Sequence, residues 1–166
     1  MTDPITRPQL EKRKPRRRFG VGIGAFGLFI FLLAAEPGLF GLFRSETIGS
    51  VQITIFTFGL GLLVLGGSLA LGALWPAGVR TITADLGLRI AWTGYVIALA
   101  SAMADVIGLG TRPLVSSVPF FGYWQERGVL VGEVVIILGF LMMIPYKLPA
   151  APPDPAPAEK VEVVTD

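Results

Sequence analysis

Residues 48–75 read IGSVQITIFTFGLGLLVLGGSLALGALW. About 28 consecutive residues carry no charge, and at 1.5 Å rise per residue they make roughly 40 Å of helix, more than the ~30 Å hydrocarbon core of a bilayer requires. The stretch predicts a membrane span, and the other apolar runs become its bundle partners. Gly59, Gly66 and Ala73 recur at seven-residue spacing, a small-residue face on which neighbouring helices can pack closely in lipid, so this span is expected at the centre of the bundle. Thr54, Thr57 and Ser68 can satisfy their hydroxyls on carbonyls of their own helix. Trp75-Pro76 closes the run with an interfacial aromatic and a helix breaker.

The rest of the composition agrees with a membrane protein. Of 166 residues 52% are hydrophobic and only 16% charged, and the mean hydropathy is +0.67. This leaves room for one compact membrane domain and no separate soluble one. The chain has no Cys and no His. That excludes disulfides, Cys-based zinc sites, iron–sulfur ligation, His-ligated haem and thiol catalysis.

Upstream, residues 1–18 (MTDPITRPQLEKRKPRRR) are polar, basic and interrupted by proline, and are expected to be disordered alone. Lys12, Arg13, Lys14, Arg16, Arg17 and Arg18 precede an apolar run. They read either as a topology determinant alone or as a patch drawn to anionic lipid headgroups. No folded basic surface with stacking aromatics accompanies them, so nucleic acid is not an expected partner. Residues 19–35 form the next apolar run, near the lower length limit for a span, with Gly20 and Gly24 in GxxxG spacing and Gly22 and Gly27 beside them. A basic segment before a short apolar run also fits a signal peptide, and Arg16-Arg17-Arg18-Phe19 has a twin-arginine look. Leu33, however, stands where a cleavage site needs a small residue, so the run is read as a retained span. Residues 36–47 (EPGLFGLFRSET) are a connection that Pro37 and Gly38 initiate; Leu39, Phe40, Leu42 and Phe43 suit the headgroup boundary.

Downstream, residues 77–85 are a short polar connection, and a third span is expected over 86–109, with Arg89 snorkelling and Ala91, Ala98, Ala100, Ala102 and Ala104 offering a small-residue surface. The connection 110–128 is broken by Pro113 and Pro119 and carries a dense aromatic cluster, Phe120, Phe121, Tyr123 and Trp124, suited to the membrane interface or to docking a partner. A fourth span is expected over 129–146 and a Pro/Ala-rich, acidic, disordered tail over 148–166. The fold class is therefore all-α integral membrane: a four-transmembrane-helix bundle (19–147) between two disordered tails.

Orientation follows from the basic residues. With the N-terminus in the cytoplasm, eleven of the 14 Lys and Arg fall inside, and only Arg44, Arg112 and Arg127 fall outside. Both termini are then cytoplasmic. In that frame Gln52, Asp105 and Glu133 lie at matched depth, about four residues or roughly 6 Å below the outer interface. Ser101 sits one turn below Asp105. Asp105, near a helix C-terminus, is opposed by its dipole, whereas Glu133 in a first turn is favoured. Arg44, Arg112 and Arg127 are the nearby cations to pair with it. This polar set reads either as interfacial ion pairing or as a pocket opening outward.

No catalytic constellation stands in the chain. All four lysines are terminal, which rules out an intramembrane Ser–Lys dyad or Schiff base, and neither a P-loop, a dinucleotide fingerprint nor a nucleophile elbow is present in context. The sequence implies no cofactor and no metal. The leading expectation is a non-catalytic accessory or scaffold subunit of a larger membrane complex, partnered by lipid and by other subunits or copies of itself. A small oligomeric transporter or channel using Asp105 and Glu133 is the alternative, and a membrane enzyme acting on a lipid or quinone is the third reading.

Overall fold

A computed structural model describes residues 6–42, 50–75, 80–104 and 122–146. All regular structure among them is helical. The helices are α1 (Thr6–Ala35), α2 (Ser50–Gly72), α3 (Ile82–Ala102) and α4 (Tyr123–Met143), with a 3-10 turn over Pro37–Phe40 after α1. Three of them hold stretches long and apolar enough to cross a bilayer: Pro15–Ala35, Val51–Gly72 and Ile82–Ala102. At 21 residues α4 is as long as α3. It carries Glu126, Arg127 and Glu133 and does not qualify with the other three.

The helices pair as two antiparallel hairpins, each closed by a seam of small residues. In the α1–α2 hairpin, a Cβ added at Gly20 would lie 2.6 Å from the Ala70 backbone nitrogen, and one at Gly59 would lie 2.5 Å from that of Phe31. Gly66 faces Gly24, and Gly27 faces Leu63, with no room for a side chain. In the α3–α4 hairpin, the buried residues of α3 are Ala84, Gly87, Ala91, Gly94, Ala98 and Ala102, while α4 contributes Val129, Gly132, Ile136, Gly139 and Met143. A Cβ on Gly94 or on Gly139 would stand 2.6 Å from the carbonyl oxygen of Gly132 or Gly87, respectively. Such close approach is how helices gain van der Waals contact in lipid, where lipid tails are as apolar as leucine.

The hairpins meet at mid-height. Leu60 and Val64 of α2, Ala98 of α3 and Ile136 of α4 are buried together, with Phe31, Phe56, Tyr95 and Phe140 packed around them. Outside this core, Phe26, Phe58, Val96 and Ile137 are all more than half exposed. Water would not tolerate so broad an apolar exterior, and a bilayer covers it.

Several expected boundaries shift. The backbone is helical from Thr6, whereas residues 1–18 read as a disordered tail; once residues 19–35 form a helix, extending it backwards costs little, and Glu, Lys and Arg are good helix formers. Pro8 falls in the first turn, where no N–H has an intrahelical partner, and Pro15 lies inside the helix. Helix α3 starts at Ile82 rather than 86 because Thr81 caps it, its hydroxyl accepting from the Ala84 N–H at 3.3 Å. Helix α4 starts at Tyr123 rather than 129, with the Gln125 side chain accepting from the Gly122 N–H at 2.7 Å. The 3-10 turn ends at Gly41, whose φ of 69° is open to glycine at no steric cost.

Candidate functional site

At the end of the molecule where α1 stops and α2 and α4 begin, a cavity of about 230 Å³ opens between the two hairpins. Its apolar wall is formed by Ala34, Ile53, Phe56, Val129 and Leu130, and its polar groups are Gln52, Glu126 and Glu133. Helix geometry explains the arrangement. Glu126 and Glu133 are seven residues apart, two turns on one face of α4. Gln52 is in the first turn of α2, opposite the last turn of α1 because the hairpin is antiparallel.

Gln52 has a structural task. Its Nε2 donates to the Ala34 carbonyl at 2.7 Å, in the last turn of α1, where carbonyls have no partner within the helix. That bond orients the amide. Among the described residues neither Glu126 nor Glu133 has an ion-pair partner, and no cation lines the cavity.

The structure brings together two of the four expected polar residues. Ser101 is elsewhere: it packs on the α3 face against Gly128, whose missing Cβ makes room for the serine side chain. Asp105, Arg44, Arg112, Phe120 and Phe121 lie outside the described residues. Arg127 is engaged with an aromatic ring, its guanidinium 4.9 Å from the Tyr123 centroid. Tyr123 and Trp124 make an edge-to-face pair at 5.7 Å and are exposed, on the first turn of α4 and not in a loop as expected. Glu126 was missed among the site residues; its i, i+7 relation to Glu133 was the available signal.

The opposite end has a different character. Arg89 pairs with Asp85 at 3.1 Å on the exposed surface of α3, instead of reaching alone to headgroups. The Trp75 indole N–H donates to the Met143 carbonyl at 2.8 Å in a buried bond, so a residue just past the end of α2 caps the C-terminus of α4. Thr57 bonds the Ile53 and Thr54 carbonyls at 2.9 and 3.0 Å, as expected of a membrane-helix threonine. Ser68 departs from that expectation, since its Oγ is buried without a partner.

Chemically the cavity offers two carboxylates and an amide beside an apolar wall. Among the described residues that line it there is no hydroxyl, amine, thiol or imidazole that could act as nucleophile or base partner. Among the described residues no three Asp or Glu side chains gather in a metal-holding group. Comparisons of the chain with protein-family models, with curated proteins and with solved structures return no match.

Proposed function

We propose that the chain is a non-catalytic subunit or scaffold of a larger membrane assembly, crossing the bilayer four times with both termini in the cytoplasm. One observation carries this reading. Between the cavity at one end and the groove of about 590 Å³ at the other, the bundle is closed by Leu60, Val64, Ala98 and Ile136, none more than 2% exposed. A plug of apolar side chains at mid-height offers no polar route through a single copy. Of the described polar groups, Gln52 and Trp75 tie helix ends together, Thr57 bonds carbonyls of its own helix, and the buried Ser68 hydroxyl has no partner.

Three further points support the architecture. The basic residues at 12–18 favour the cytoplasmic side and anionic headgroups. Helix α4 pairs along its length with α3, through Gly132 and Gly139, as a transmembrane partner would. Its uncharged run between Gly128 and Met143, interrupted only by Glu133, is short for a span, and Glu133 near one interface suits that length.

The transporter reading draws on the cavity itself, which sets Glu126 and Glu133 at one end of the bundle with no cation among its described lining residues. One experiment separates the two. Wild type and Glu133→Gln are reconstituted in liposomes while the same protein is isolated from its host membrane in mild detergent. Stable co-isolation of defined membrane partners, with no ion or proton flux under any imposed gradient, is the expected result. Flux in the wild type that Glu133→Gln abolishes at unchanged stability would replace the scaffold reading with transport.

A further inference from the structure

We infer that the cavity at the junction of α1, α2 and α4 binds a lipophilic monocation: one ammonium-type charge on a compact apolar body, carrying no anionic group of its own. The inference rests on the cavity and not on whether the chain is a scaffold or a transporter. Size comes first. An apolar cavity of about 150 Å³ accommodates benzene, so the 230 Å³ here has room for a ring or short alkyl body together with a charged head. Phe56, Ile53, Val129 and Leu130 supply the surface for that body.

Charge comes second. Two carboxylates converge on one cavity. Glu126 and Glu133 are two turns apart on α4 and have no ion-pair partner among the described residues. The helix ends add no net negative charge, because the C-terminal end of α1 at Ala34 and Ala35 is offset by the N-terminal ends of α2 and α4 at the same cavity. Arg127 neighbours Glu126 in sequence but is held over Tyr123. Gln52, oriented by its bond to the Ala34 carbonyl, adds an amide with one of its two N–H donors already used. A neutral solute would leave this field unused, and an anion would be repelled. A bare inorganic ion would leave the apolar wall empty. A zwitterionic lipid headgroup would bring a phosphate toward the carboxylates.

The test is calorimetric titration of the full chain in maltoside micelles with benzyltrimethylammonium. Saturable binding is expected. It should weaken about tenfold, a loss of ~1.4 kcal/mol, in Glu133→Gln and again in Glu126→Gln. The second variant alters an exposed side chain, so the measurement stands if the first folds poorly. Leu130→Trp, a change at a half-exposed wall position, should fill the cavity and reduce binding further. Neopentylbenzene, the uncharged isostere, and tetramethylammonium, the charge without the ring, should both bind at least tenfold more weakly. Absence of saturable binding, equal affinity for the uncharged isostere, equal affinity for tetramethylammonium, or affinities unmoved by both Glu→Gln changes would each overturn the assignment. So would displacement of the probe by added phosphatidylethanolamine, which would make the site a headgroup site.

Discussion

Gln52 and Trp75 stand near opposite ends of α2 and perform the same service for two different helices. Each donates one N–H to a carbonyl in the last turn of a neighbour, Ala34 of α1 and Met143 of α4. In lipid such a carbonyl has no water to turn to, so the donor matters more than it would on a soluble surface. Trp75→Phe keeps an aromatic ring but removes the N–H and part of the buried indole, and it should cost at least about 1–2 kcal/mol of stability in micelles, the range expected when a buried acceptor loses its donor, with a cavity cost added. Gln52→Leu should cost a similar amount. Gln52→Glu should be worse than Gln52→Leu although it is closer in shape, because it sets a carboxylate against the Ala34 carbonyl and beside Glu126 and Glu133. Equal stability of the Glu and Leu variants by reversible unfolding in mixed micelles would contradict this account. Neither bond was legible in the sequence: 18 residues separate Gln52 from its acceptor and 68 separate Trp75 from its own, and nothing local marks either acceptor.

At the scale of the helix, the glycines divide into those in seams and those outside them. Gly66 and Gly132 lie against the backbone of a partner helix, with no space for even a methyl group, while Gly22 has nothing within 4 Å of where a Cβ would stand. Gly66→Ala and Gly132→Ala should each force their hairpin apart and lose about 1–3 kcal/mol, the usual cost of overpacking. Gly22→Ala should be neutral or stabilising by up to ~1 kcal/mol, since alanine is the better helix former. Thermal unfolding of the three variants side by side checks this, and destabilisation at Gly22 equal to that at Gly66 would remove the seam explanation. Much of this was readable in advance. GxxxG at Gly20 and Gly24, and the seven-residue interval from Gly59 to Gly66, mark the α1–α2 seam directly, and Ala91, Ala98 and Ala102 mark that of α3. The same interval between Gly132 and Gly139 on α4 carried equal information and was passed over. Helix starts were less legible. Pro8 and Pro15 look like breakers until the helix downstream is in place, and the caps at Thr81 and Gln125 act on residues polar enough to pass for loop.

At the scale of the molecule, the open question of α4 becomes a matter of sidedness. The native chain has no cysteine, so single cysteines report cleanly. In the four-span arrangement a cysteine at Ser117 is labelled by an impermeant reagent from outside intact cells, and cysteines at Ala77 and Ala150 are not. If α4 lay along the interface instead, Ser117 and Ala150 would be labelled alike. Retention of residues 19–35 is checked separately by the mass of the mature chain, which should begin near Met1 and not near Glu36. The two-hairpin organisation could be guessed from alternating spans and short connections. How unequal the two kinds of contact are could not, because the pairing partners of a small-residue face are set by three-dimensional register.

That inequality has a consequence for the order in which the protein comes into being. Every contact that closes the first hairpin, from Gly20 against Ala70 to Gln52 against Ala34, is made by residues already synthesised when the chain has emerged as far as Gly72. The first hairpin can therefore zip shut while the ribosome is still translating the second. Trp75 differs, because its acceptor is Met143, near the end of the fourth helix. Its indole leaves the ribosome early, and reaches that carbonyl only after the second hairpin has entered and docked. The bond acts as a late latch, and the chain acquires its finished form in two instalments joined by one tryptophan.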